Sequence, residues 1–294
     1  MTATYRVYGM SQSFFTQKLL GALAYKRVPH RLVRFAGACP EARGAGWPGG
    51  IPVVRTPEGE WAWDTTELLH HLEGRFPEPA LLPQDPVQRF LDAALEDFAD
   101  EWLYRPAVGS RWHFEENARV GGFELARDAT HEAPVGCDQA FALVRAHVSA
   151  SCAPFGVTAA NVQAWIDEVL RPWQRAAGAH LAAWPYFFGE RPSLADFAAF
   201  GGCAAHFAND PLCRRWLDAE GRRWCSTCSG CGSPRSSASA PGPRPATCRT
   251  AWSRCSHSSA GTTCRGSAPR RRTGARRSRS ALAPPSSWPR RLFS

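Results

Sequence analysis

Four prolines fall within ten residues, Pro77, Pro79, Pro83 and Pro86, and this cluster restricts the fold more than any other feature. Proline lacks the amide hydrogen and disfavours a helical residue before it, so no regular element crosses the stretch. On its N-terminal side, residues 5–8 are a short β-prone run closed by Gly9. Ser13 then opens a helical segment over 14–26, with Phe15, Leu19, Leu20 and Leu23 at helix spacing. Residues 30–35 form a second strand, and the Gly- and Pro-rich residues 36–50 a loop. Residues 51–55 and 61–63 flank the turn Thr56-Pro57-Glu58-Gly59 as a hairpin, and a helix follows over 65–76. Beyond the prolines everything reads as helix. Val87, Phe90, Leu91, Ala94, Leu95, Phe98 and Trp102 lie on one face of a helix that begins after Asp85-Pro86, where proline suits a first turn. Further helices are predicted over 138–150, 158–182 and 193–207, and near 112–126.

The element order β-α-β then β-β-α is that of a thioredoxin-like domain. The predicted fold is therefore an α/β thioredoxin-like domain over 1–78, a linker over 79–86 and an all-α helical bundle over 87–221. The remainder, 222–294, is a tail of another vocabulary. It holds 15 of the 35 basic residues and no acid, and it lacks Lys, Ile, Val, Asn, Gln, Tyr and Met. A segment so poor in apolar side chains cannot build a core and is expected to be disordered. A GC-rich coding sequence read in a shifted frame yields this vocabulary, which makes a frameshift product the expected origin of the tail.

The charge divides at the same point. The formal +9 of the whole chain becomes −6 over residues 1–221, where 20 basic residues face 26 acidic ones. A mildly acidic body gives no reason to expect a nucleic-acid partner, which needs clustered positive charge. Arg270–Arg272 and Arg276–Arg279 in the tail are the alternative source of such binding. Cys225, Cys228 and Cys231, with Cys248, Cys255, His257 and Cys264, have zinc-like spacing without the hydrophobic support of paired knuckles, so no metal is expected. The body cysteines Cys39, Cys137, Cys152, Cys203 and Cys213 are neither metal-spaced nor dense enough for a disulfide scaffold. No basic-then-apolar leader opens the chain, and no apolar run approaches the ~20 residues of a membrane span. A soluble cytoplasmic protein without a membrane partner is expected.

Four separated segments carry a resemblance over about residues 5–220. Residues 8–18, from Tyr8-Gly9 through Ser13 to Lys18, are similar to the first strand, turn and helix start of serine-type glutathione S-transferases. Gly50-Ile51-Pro52-Val53-Val54 resembles the proline-containing loop and third strand of that superfamily. Trp63-Asp64-Thr65-Thr66-Glu67-Leu68-Leu69 resembles its acid-plus-hydroxyl turn into the third helix. The most specific word is Tyr186-Phe187-Phe188-Gly189-Glu190-Arg191-Pro192-Ser193-Leu194-Ala195-Asp196-Phe197, similar to a segment of the helical domain in which a Ser and an Asp cap a buried helix. Phe14, where many members have proline, and Gly49-Gly50, where a lysine often stands, depart from the pattern; Trp47 or Arg43 stands near enough in sequence to replace that lysine.

The resemblance implies a glutathione co-substrate, a hydrophobic electrophile, a detoxification role and a homodimer. It aligns Ser13 with the catalytic serine, with Ser11 in reserve. The physics is general: a thiol of pKa about 8.5 is mostly protonated at neutral pH, and a pKa two units lower takes about 2.7 kcal/mol of preferential thiolate stabilisation. A helix N-terminus and a hydroxyl placed there supply part of it. Ser13 as a plain N-cap is the other reading, and one hydroxyl can do both. Pro52 is expected to follow a cis bond, with the Ile51 backbone pairing with the cysteinyl part of the tripeptide. Asp64 and Thr65 would meet its γ-glutamyl end, the acid facing the ammonium and the helix start the carboxylate; a simple helix cap explains the same two residues singly. Ser193 and Asp196 read as a structural capping box whose loss costs about 1 kcal/mol or more. Aromatic residues near 102–104 and 112–114 either line a second-substrate site or belong to the core. The sequence leans toward an enzyme, with a non-catalytic binding or interaction module of the same fold as the alternative.

Overall fold

The computed structural model describes residues 4–35, 39–129 and 136–220, all within one compact unit. The tail over 222–294, with its cysteine spacing and arginine runs, lies outside the described residues. The first half runs β1 (Tyr5–Gly9), α1 (Phe14–Tyr25), β2 (His30–Arg34), α2 (Pro40–Gly44), β3 (Val53–Arg55), β4 (Trp61–Trp63) and α3 (Thr65–Arg75). Its sheet has the order β2-β1-β3-β4. β1 and β2 pair in parallel because α1 makes the crossover between them, whereas β1–β3 and β3–β4 pair antiparallel. Tyr5 and Val7 alternate with the exposed Arg6 and join Leu19, Leu23, Leu69 and Leu72 in one core. The segment read as a plain loop over 36–50 contains the short helix α2. Pro40 suits its first turn, and Ala42 is buried with Phe35, Trp47 and Val53.

After the prolines every element is helical: α4 (Pro86–Phe98), α5 (Tyr104–His113), α6 (Glu115–Asn117), α7 (Phe123–Ala129), α8 (Cys137–Cys152), α9 (Val162–Trp165), α10 (Arg171–Ala183), α11 (Leu194–Gly202) and α12 (Pro211–Glu220). π-helical turns at Ala99–Leu103, Ala118–Gly122, Ile166–Leu170 and Cys203–Phe207 continue several of these helices. α11 lies directly against α1, since a β-carbon on Gly201 would stand 2.5 Å from the Phe14 carbonyl oxygen. Only glycine allows that approach.

The apolar stripe of α4 points outward. Val87, Phe90 and Leu91 are 64%, 71% and 45% exposed, while Asp92 and Glu96 on the opposite face are buried. The acids face inward because what they meet is positive. Asp92 accepts the Ala195 N–H at 2.9 Å, at the start of α11, and Glu96 meets the Lys18 ammonium of α1 at 2.5 Å. Among the described residues no helix is long and apolar enough to cross a membrane, and no group of three or more His, Cys, Asp or Glu could hold a metal ion.

Candidate functional site

Strand register brings the first three of those sequence segments together. Tyr8 pairs with Val53, and Val53 pairs with Trp63. Because both pairings are antiparallel, the residues just after Tyr8 and just after Trp63 flank those just before Val53. The Met10–Ser13 turn, the Ile51–Pro52 step and Asp64–Thr65 therefore sit at one end of the sheet. The Ile51–Pro52 bond is cis, as is Glu78–Pro79.

Two adjoining clefts open there. The smaller, ≈ 550 Å³, is lined by Ile51, Pro52, Trp63, Asp64, Thr65 and Thr66 from the first half and by Glu96, Asp97, Asp100 and Glu101 from the second. The larger, ≈ 890 Å³, carries Ser13 and is walled mainly by apolar and aromatic groups, among them Phe14, Phe15, Trp47, Tyr104, Trp112 and Phe155. Phe15, Gly50, Ile51, Asp100 and Glu101 border both. Of the aromatics near 102–104 and 112–114, Tyr104 and Trp112 line the larger cleft. Trp102 packs at a tilt against Trp165, ring centres 5.8 Å apart, and Phe114 packs edge-on to Trp216.

Ser13 is the N-cap of α1. Its oxygen accepts the Thr16 N–H at 3.4 Å, which leaves its own hydrogen to donate elsewhere. Both functions open in the sequence thus remain compatible at this atom. Ser11 is differently occupied, since its hydroxyl and its N–H both donate to Asp128 Oδ2, at 2.5 and 3.2 Å, and it borders neither cleft. Asp64 has a left-handed backbone, φ 72°, and caps α3 by accepting the N–H groups of Thr66 at 3.0 Å and Glu67 at 3.4 Å. Thr65 is buried in the first turn behind it. Ser193 and Asp196 form the capping box of α11, away from both clefts. Asp196 accepts the Ser193 N–H at 2.9 Å, its hydroxyl at 3.0 Å and the Phe187 N–H at 3.1 Å. Burial pushes the Asp196 carboxyl up to about 7 despite those bonds.

Two polar features, around Lys18 and Arg111, were not anticipated, and a third falls on Trp47 and Arg43, the residues named above in place of the missing lysine. Lys18, wholly buried, places its ammonium 2.5 Å from both Glu96 and Asp100 and 3.3 Å from the Thr66 hydroxyl. This cluster joins α1, α3 and α4 beneath the smaller cleft. Burial raises the Asp100 carboxyl to about 7; the Lys18 charge opposes that rise and Glu96 adds to it. Trp47 keeps its indole N–H buried without a hydrogen-bond partner, a donor set in the wall of the larger cleft, and the Arg43 guanidinium lies 4.7 Å over the same ring. Arg111, from α5, donates to the Gln12 carbonyl at 2.8 Å, immediately before Ser13. The one sequence signal for these residues was an ionisable side chain, Lys18, four residues from Phe14 and four from Ala22 on a buried helical stripe.

No protein-family model matches the chain. A maleylacetoacetate isomerase of Pseudomonas aeruginosa is 26% identical over 179 residues, 60% of this chain and 67% of the isomerase. A glutathione S-transferase-like protein from Pseudomonas syringae aligns with a TM-score of 0.54 at 18% identity, covering 83% of this chain and 78% of its own. A glutathione S-transferase from Methylobacillus flagellatus, solved with glutathione bound, aligns at 0.50 and 19% identity over 77% of this chain and 93% of its own. One from Rhodospirillum rubrum gives the same score and identity over 78% and 88%. With a mixed four-stranded sheet flanked by helices, an all-helical half behind it and these structural neighbours, the chain has the fold of the glutathione S-transferase superfamily.

Proposed function

We propose that the chain is a glutathione S-transferase-like enzyme that binds glutathione in the smaller cleft and transfers its thiolate to a hydrophobic electrophile in the larger one. The observation that carries this reading is the Ser13-capped N-terminus of α1 at a cleft that shares Ile51 with the Pro52–Asp64–Thr65 side. Ile51 would offer its backbone N–H and C=O to the cysteinyl unit. Asp64 would face the γ-glutamyl ammonium, and the start of α3 at Thr65 its carboxylate. The unpartnered Trp47 N–H and the Arg43 guanidinium suit the glycine carboxylate, which answers the missing lysine. Bound there, the tripeptide supplies the nucleophilic sulfur. Ser13 would donate its free hydrogen to the thiolate, the N–H groups of α1 would add to that field, and aromatic walls would exclude water from the acceptor.

The same reading assigns glutathione binding to residues 1–78 and the electrophile wall chiefly to 87–221, with 79–86 as linker. It places the protein in the cytoplasm, where glutathione is abundant. It makes a homodimer the working form, with the exposed Val87, Phe90 and Leu91 offered to a second copy.

A second reading, a glutathione-transferase-fold binding module without turnover, is favoured by one feature. Asp64, Glu67, Glu96, Asp97, Asp100 and Glu101 all line the smaller cleft, and that field opposes a thiolate. Ser13→Ala decides between them. Calorimetry should find glutathione bound by both proteins, with conjugation of a general aromatic electrophile falling about tenfold or more in the variant, the loss expected for one hydrogen bond to a charged atom. Binding without conjugation by the unaltered protein establishes the module. Conjugation unchanged in the variant removes the assigned role of the hydroxyl.

A further inference from the structure

The turn that presents Ser13 is held from the helical half. The Gln12 carbonyl, one residue before Ser13, accepts from Arg111 Nη1 at 2.8 Å. Arg111 is 1% exposed, and the rest of its fork is committed. Its Nε donates to both Asp210 oxygens at 3.2 and 3.0 Å, and Nη2 donates to Asp210 Oδ1 at 3.1 Å and to the Ala205 carbonyl. A planar guanidinium anchored on three sides has no freedom left to follow a moving carbonyl. The pair sits in a slot that only glycine can border, since a β-carbon on Gly121 would lie 2.1 Å from Asp210 Oδ1 and 2.6 Å from Arg111 Nε. The Gln12 side chain is gripped as well, donating to Glu124 at 2.5 Å and accepting from Asn209 at 3.4 Å. Ser11, next in line, is tied to Asp128.

We infer that Arg111 is a positioning residue for Ser13: anchored by Asp210, it fixes the Gln12 carbonyl and with it the direction of the Ser13 hydroxyl and the first free N–H groups of α1. The inference rests on the role proposed above for Ser13. It makes the geometry of a turn in the sheet half depend on α5 and on the residue that precedes α12. A hydroxyl that must meet a sulfur within hydrogen-bond reach tolerates little displacement.

The test uses the full chain with Arg111→Met and Asp210→Asn together, so that neither charge is left buried alone. Hydrogen exchange should be about tenfold or more faster in residues 10–16 and unchanged in the 53–63 hairpin. With glutathione bound, the ultraviolet titration of the thiolate should move up by about one pH unit, with kcat down about tenfold and the KM for glutathione within about threefold. Unchanged exchange over 10–16, or an unchanged thiolate titration, overturns the inference. If the double variant does not fold, Gly121→Ala displaces the pair without removing a charge and is held to the same readouts. Should the unaltered protein bind no glutathione, the proposed function fails, and exchange over 10–16 still decides whether Arg111 holds the turn.

Discussion

A buried ammonium is stable only while its counter-charges stay in reach, and Lys18 has two. Glu96 and Asp100 come from adjacent turns of the α4 region, and Thr66 donates its hydroxyl to Glu96 at 2.5 Å. Removing the cation leaves two carboxylates buried against each other beneath the smaller cleft. Lys18→Met should therefore lower unfolding stability by about 3–5 kcal/mol, the usual result of breaking a buried pair from one side. Denaturant titration measures this directly. A loss below about 1 kcal/mol, the range of exposed pairs, would mean that water reaches the cluster. Because the same cluster borders Asp100 in the cleft wall, a folded Lys18 variant should also bind glutathione more weakly by calorimetry.

Among the elements, α4 carries the clearest tension between pattern and packing. Its apolar residues recur at positions i, i+3 and i+4, the spacing that in most helices marks the core side. Here Asp92 and Glu96 are inside and Val87, Phe90 and Leu91 outside. Two acids can be buried because a helix N-terminus and an ammonium face them, and the stripe is thereby left exposed, the face the proposed homodimer would use. Phe90→Glu tests this at the scale of the element. Sedimentation velocity should show a dimer for the unaltered chain and a monomer for the variant, with the helical circular dichroism retained. A dimer that survives the substitution excludes this face as the contact.

For the molecule as a whole, the buried carboxyls set the direction of its pH response. Asp196 and Asp100 are both pushed up to about 7 by burial, from the usual range near 4. The folded chain then holds protons that the unfolded chain releases. Their contribution to stability is full below about pH 4 and is lost as the pH rises through 7. His206 opposes them. Burial, with the Arg111 charge, lowers its imidazole to about 4, so its contribution rises with pH up to the ordinary histidine range. Burial also raises the Asp92 carboxyl and lowers the His113 imidazole. With three carboxyls against two imidazoles, the midpoint of thermal unfolding should fall between pH 5 and 8, and Asp196→Asn should flatten that fall. A midpoint that rises across this range in the unaltered chain would contradict the assignment.

Apart from α2, α5 and α12, which it did not show, the sequence by itself determined the order of elements, the break at the proline cluster, the capping box of Ser193 and Asp196 and the three segments that meet at the site. Each of these is written locally, in proline chemistry, cap residues and short periodicities. It also marked α4 as two-faced, but not which face is inside. Only the tertiary structure decided that, together with the pairing of Lys18 with Glu96 and Asp100, the tying of Ser11 to Asp128 and the reach of Arg111 to Gln12. These contacts join residues about 80 to 120 positions apart. A buried charge is tolerated only where a distant part of the chain brings its complement, and no local pattern encodes that meeting.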